Sequence, residues 1–211
     1  MPGPSRLPYA EAMRALLRSS LALLLTAIPA LAGAKPRVVF RTTAGAFTVE
    51  LEPEAAPKTV ENFLGYVNNG FYKGTVFHRV MSDFMIQGGG FTADLKEKVG
   101  GPSIPNEAKQ ALAKGLKNTR GTLAMARTWI PDSAKAQFFI NVVDNRARLD
   151  PPGSDGFGYC VFGRVVAGMA VVDKIRSGKT GSRAGMRDVP VKPIEVIEAL
   201  EVKPSAPRKG K

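Results

Sequence analysis

The chain has 211 residues and a formal net charge of +12, and its 44% apolar and 8% aromatic content supports a packed core rather than a disordered chain. One cysteine, Cys160, excludes an intrachain disulfide and a multi-cysteine metal site. One histidine, His78, excludes most nucleophile-and-base and zinc arrangements, so hydrolase chemistry is not expected.

In chain order, basic residues run through Arg18, an apolar stretch spans Leu21 to Leu31, and Ala32-Gly33-Ala34 offers a small-residue cleavage site. Residues 1–34 therefore read as a cleavable signal peptide, cut before Lys35. An uncleaved membrane anchor is the rival reading. The apolar stretch, however, is about half of the roughly 20 residues needed to span a bilayer, and it contains Pro29. No membrane-length apolar run follows, so no span is expected after cleavage. Residues 35–203 are left for one domain.

From Val38 the pattern alternates: Phe47, Val49 and Leu51 share one face and Thr48 and Glu50 the other, after a turn at Thr43-Ala44-Gly45. A β-hairpin is predicted. Pro57 then opens a helix with Val60, Phe63, Leu64 and Val67 on one face, stopped by Asn68-Asn69-Gly70. Short apolar runs recur between turn signals at Thr75 to Val80, Phe84 to Ile86, Gly121 to Ala126, Gln137 to Val142 and Tyr159 to Val166. Such a series predicts an antiparallel barrel or sandwich. A second helix is predicted from Met169 to Ile175, and a last strand from Ile194 to Val202. Residues 204–211 form a basic tail, Pro- and Lys-rich and expected to be disordered. The positive surplus is expected to serve solubility, with no specific nucleic-acid partner; binding of an anionic surface through the tail is the alternative.

Among groups able to do chemistry, Cys160 sits in the apolar run Tyr159 to Phe162 and is expected to be buried packing. His78, between Phe77 and Arg79 on a strand, is expected to be structural and to point away from the face of Arg79. Asp83, Asp94, Glu97 and Glu107 fall in turn-like segments without a paired-carboxylate motif and are expected to be solvated. Gly88-Gly89-Gly90 lacks the lysine and following helix of a phosphate loop and is read as a backbone turn. Trp129, in the loop from Arg127 to Lys135, is open between packing and substrate contact.

Four segments stand out together: Phe77-His78-Arg79-Val80, then Phe84-Met85-Ile86-Gln87-Gly88-Gly89-Gly90-Phe91, Gln137-Phe138-Phe139-Ile140-Asn141 and Val161-Phe162-Gly163. In order and spacing they resemble the cyclophilins, where F-H-R-V leads to F-M-x-Q-G-G and later to Q-F-F and V-F-G. The resemblance extends from about Val38 to Val202. Pro105-Asn106-Glu107-Ala108 and the run Asn118 to Arg127 look most like the bacterial periplasmic branch.

The resemblance implies a mainly β fold, an eight-stranded antiparallel β-barrel capped by two α-helices, with the groove on its outer face. It also implies peptidyl-prolyl cis/trans isomerase activity on proline-containing segments of unfolded or partly folded exported proteins. Periplasmic localisation, no cofactor, no metal and a monomer are expected. Arg79 matches the catalytic arginine; Phe84, Met85, Phe139 and Leu149 match the proline pocket; and Gln87, Ala126 and Gln137 match groove residues that contact the peptide, Gln87 being counted as catalytic because it can orient the guanidinium or the carbonyl. Tyr159 falls where many members carry histidine. Arg148 precedes Leu149-Asp150, where many carry tryptophan, and this departure implies weak cyclosporin binding. A peptide-holding module on the same barrel is the rival function, but mere holding would not require the arginine.

Overall fold

The computed structural model describes residues 34–202; the expected signal peptide, except for Ala34, and the basic tail lie outside the described residues. The elements in order are β1 (Arg37–Thr42), β2 (Gly45–Leu51), α1 (Pro57–Asn68), β3 (Thr75–Val80), β4 (Met85–Thr92), α2 (Ala108–Ala113), β5 (Thr122–Met125) and β6 (Phe138–Asn141). Then follow α3 (Arg146–Leu149), β7 (Val161–Ala167), α4 (Met169–Arg176), β8 (Thr180–Arg183), β9 (Met186–Pro190) and β10 (Val196–Val202). Eight strands form one antiparallel sheet in the order β10-β1-β2-β7-β5-β6-β4-β3. The free edge of β3 turns back onto the chain entering β10: Gly74 N donates to Val196 O at 2.9 Å and Phe77 N to Ile194 O at 3.0 Å. A nearly closed barrel results, which satisfies edge groups that an open sheet would leave bare.

Alternation along the strands sends one set of side chains into the barrel. Phe40, Phe47, Phe77, Phe138 and Phe162 are buried there, with Phe40 and Phe47 stacked at 5.1 Å between ring centres. Helix α1 closes the interior with Val60, Phe63 and Val67; the Phe63 ring lies 5.0 Å from Phe162 and 5.6 Å from Phe138. Helix α4 buries Val172 and Ile175. The short helices α2 and α3 and the β8–β9 hairpin were not expected from the sequence.

Two local expectations are corrected. Gly88-Gly89-Gly90 is not a turn but the middle of β4, where the missing side chains make room. Gly89 has a φ of +82°, and a Cβ there would lie 2.8 Å from the Tyr72 ring; one at Gly90 would lie 2.4 Å from the side chain of Gln137. Glu107, expected to be solvated, is buried. Its carboxylate accepts from Lys58 N at 3.1 Å, from Thr59 N at 2.8 Å and from the Thr59 hydroxyl at 2.8 Å. Ala56 supplies no side-chain cap to α1, so this distant carboxylate satisfies amides that the helix start leaves open.

Candidate active site

The strand face turned away from the core carries its own apolar cluster: Met85, Ala124, Phe139, Leu149 and Val161, with Met81, Phe84, Ala126 and Tyr159 packed against it. Neighbours in sequence divide between the two faces. Phe138 and Ile86 belong to the core, Phe139 and Met85 to the outer cluster. The register then aligns one residue from each of five strands: Arg79 opposite Gln87, Gln87 opposite Phe139, Phe139 opposite Ala124, and Ala124 opposite Val161.

Strict alternation would put Phe77 and Arg79 on one face, yet Phe77 is in the core. The register explains it. Phe77 pairs with Gly88 and Arg79 with the adjacent Gln87, so His78 is an extra residue that turns Arg79 outward. His78 is buried beside the Phe91 ring at 4.6 Å, and its Nδ1 has no hydrogen-bond partner among the described residues. Burial holds its pKa down at about 4, against a weaker upward pull from a backbone hydrogen bond at Val76 and with a smaller push from Arg79.

Arg79, Phe84, Met85, Gln87, Ala126, Phe139, Leu149 and Tyr159 line one open cavity of about 390 Å³, together with Arg127. The remaining expected site residue, Gln137, lies in an adjoining groove of about 750 Å³ that shares Gln87, Ala126 and Arg127 with the cavity. Gln87 Nε2 donates to Gln137 Oε1 at 2.9 Å across the boundary. Gly90 leaves the space in which Gln137 makes that contact. Arg79 enters no ion pair among the described residues; its Nη2 approaches Met81 Sδ at 3.3 Å, which leaves the guanidinium fork open to a ligand. The Phe139 and Tyr159 rings meet edge to face at 5.8 Å, and the Arg148 guanidinium covers the Phe84 ring at 4.5 Å.

Buried amides hold this wall in place. Asn145 Nδ2 donates to Phe84 O and to Asn141 Oδ1, both at 2.7 Å. Asn141 Nδ2 donates to Asn118 Oδ1 at 3.1 Å. Asn118 Nδ2 in turn reaches Asp150 Oδ1 at 2.9 Å and Tyr159 O at 3.1 Å. Three pocket residues, Phe84, Leu149 and Tyr159, are thus tied to one polar network directly or through the next residue.

Sequence reasoning missed the role of Arg127. Its side chain is 2% exposed, and its guanidinium packs on the Tyr159 ring at 4.3 Å, donates to Gly158 O at 2.8 Å and pairs with the Asp155 carboxylate. Burial pushes the Asp155 carboxyl up, but the amides of Gly158 and Phe157 and the Arg127 charge outweigh it and hold it below the usual range. A charged residue closing an apolar strand was the available signal; its acid, 28 positions on, was not. Cys160 is buried as expected, and burial pushes its thiol up to about 12, far from a reactive thiolate.

Comparison with known proteins agrees with this geometry. Residues 37–201 match the family of cyclophilin type peptidyl-prolyl cis-trans isomerases. Peptidyl-prolyl cis-trans isomerase cyp18 of Streptomyces antibioticus is 54% identical over 167 residues, covering 78% of this chain and 97% of that protein. Peptidyl-prolyl cis-trans isomerase B of Escherichia coli K12 is 52% identical over 167 residues, covering 78% and 98%. A crystal structure of a Cryptosporidium parvum cyclophilin type isomerase, in the presence of the dipeptide Ala-Pro, aligns with a TM-score of 0.61 at 25% identity, covering 78% of this chain and 97% of that one. With the motifs, the barrel and relatives matched over nearly their whole length, this chain belongs to the cyclophilin-type peptidyl-prolyl cis-trans isomerases.

Proposed function

We propose that the cavity beside Arg79 isomerises X-Pro bonds in exported proteins and so assists their folding. The observation that carries this reading is the convergence of an unpaired arginine and an apolar wall on one cavity. Amide resonance sets a barrier of roughly 18–20 kcal/mol to rotation about the bond. At the twisted transition state resonance is lost and the prolyl nitrogen regains its lone pair. A donor aimed there binds that state better than either planar form, so no covalent step is needed. Arg79 is the donor, always charged and rigid. Phe84, Met85, Phe139, Leu149 and Tyr159 hold the proline ring while the preceding carbonyl turns. Gln87 orients the guanidinium or the carbonyl, and Gln137 and the backbone at Ala126 steady the peptide.

The test is a proline-peptide isomerisation assay on the chain starting at Lys35. Arg79→Ala is expected to lower kcat/KM at least about tenfold, or roughly 1.4 kcal/mol, with the fold intact by circular dichroism. Arg79→Lys should rescue poorly, because an ammonium lacks the planar fork. An unchanged rate in folded Arg79→Ala would overturn the mechanism.

The reading includes membership of the bacterial periplasmic branch, supported by the signal-like segment over residues 1–34 and the central motifs. It also includes weak cyclosporin binding by a monomer, supported by the charged Arg148 lying over Phe84.

A further inference from the structure

Trp129 is the one tryptophan of the chain, and it is 84% exposed, with Ile130 beside it 47% exposed. Packing was one of two readings open from the sequence, and exposure removes it. Two adjacent large apolar side chains in water forgo roughly 25 cal/mol for each Å² that contact would cover.

The turn that carries them is held from inside and outside. Thr128 N and Thr128 Oγ1 donate to Ser133 Oγ at 2.9 and 2.8 Å, and Ser133 Oγ donates to Ile130 O at 2.7 Å. Arg127 Nη1 donates to Thr128 O at 2.9 Å, and Asn106 N donates to Asp132 Oδ1 at 2.8 Å.

The same turn borders the groove: Thr128 and Ser133 line it, and it runs on from the proline cavity past Gln87 and Ala126. Its other walls include Glu97, Lys98 and Lys135, which offer an apolar side chain little. Resting on the isomerase reading, we propose that Trp129 and Ile130 form an outer contact for a large apolar side chain of the client chain, on the groove side of its proline. The contact directs the enzyme to prolines set in apolar stretches, which unfolded chains expose and folded proteins bury.

The sole tryptophan reports on this directly by its fluorescence. The probes are alanine-based peptides with one proline, each carrying a single leucine at successive positions on either side of it. Leucine at one or two groove-side positions is expected to shift the Trp129 emission to shorter wavelength at saturation. The same positions should raise kcat/KM about fivefold over the all-alanine peptide, a fraction of what a closed apolar pocket yields. Trp129→Ala should erase that leucine preference, while Val191→Ala, at an apolar residue 68% exposed and outside both groove and cavity, should keep it. An emission unmoved by any leucine position, or a preference that survives Trp129→Ala, would overturn the contact. Failure of the isomerase reading looks different: no peptide is turned over, yet the emission shift, a binding signal, still supports the contact.

Discussion

Arg148 and His78 show how single positions set properties that the shared motifs leave open. The Arg148 guanidinium lies over Phe84, which lines the cavity beside Arg79, and has no carboxylate partner among the described residues. Covering that charge with an apolar cyclic peptide costs affinity, while Arg79 and the pocket are untouched. Arg148→Trp is expected to tighten cyclosporin binding tenfold or more, about 1.4 kcal/mol, in a titration, and to change kcat/KM on small peptides much less. Tight binding by the unmodified protein would refute this. His78 acts on stability instead. Its pKa is lowered to about 4 in the fold, so as pH falls from about 6.5 to about 4 the unfolded chain takes up a proton that the folded chain refuses. Stability present above about pH 6.5 is therefore lost through that window, by on the order of 3 kcal/mol, and the loss levels off below it. Denaturant titrations against pH should show the decline in the natural protein and little of it in His78→Gln. Between about pH 6 and 8, kcat/KM should stay flat, because the mechanism uses no group that titrates there.

At the scale of elements, long-range polar contacts do the work of local caps and turns. Glu107 caps α1 from 49 residues away and lines neither the cavity beside Arg79 nor the adjoining groove. Glu107→Ala is expected to lower stability by about 2 kcal/mol without lowering kcat/KM. Asn145 bonds the backbone of Phe84 and the Asn141 amide, so Asn145→Ala should lower both stability, by about 1–3 kcal/mol, and kcat/KM. Chemical denaturation beside the peptide assay separates the two. A Glu107 variant that loses turnover as strongly as the Asn145 variant would show that α1 and the outer cluster are coupled. The first hairpin was legible from alternation, most later strands as short apolar runs between turn signals, and α1 from its apolar stripe. Helices α2 and α3, of six and four residues, are too short to present a helical period.

For the whole molecule, Lys35 meets the barrel directly, its Nζ donating to Glu52 Oε1 at 2.8 Å. The expected cleavage after Ala34 thus falls at the edge of the folded domain. Produced in a bacterium that exports it, the protein is expected in the periplasmic fraction with Lys35 as its first residue by N-terminal sequencing. An intact Met1 in the cytoplasmic fraction would refute that placement.

By itself the sequence determined the β1–β2 hairpin, α1, α4 and the apolar strands, and its resemblance to one family, carried by four motifs in order, named eight of the residues that line the cavity beside Arg79. Local pattern suffices for the hairpin, helices and strands, because a period of two or 3.6 states which face a residue takes; the cavity residues came from the resemblance and not from any period. The tertiary structure alone decided what those faces meet. Strand order and register set Arg79, Gln87, Phe139, Ala124 and Val161 side by side. The extra residue His78 reversed the face of Arg79, and pairing across the fold turned Glu107 into a cap and Arg127 with Asp155 into a brace behind Tyr159. Each depends on a partner distant in the chain or on a one-residue slip in pairing, and neither the partner nor the slip is marked in the local sequence.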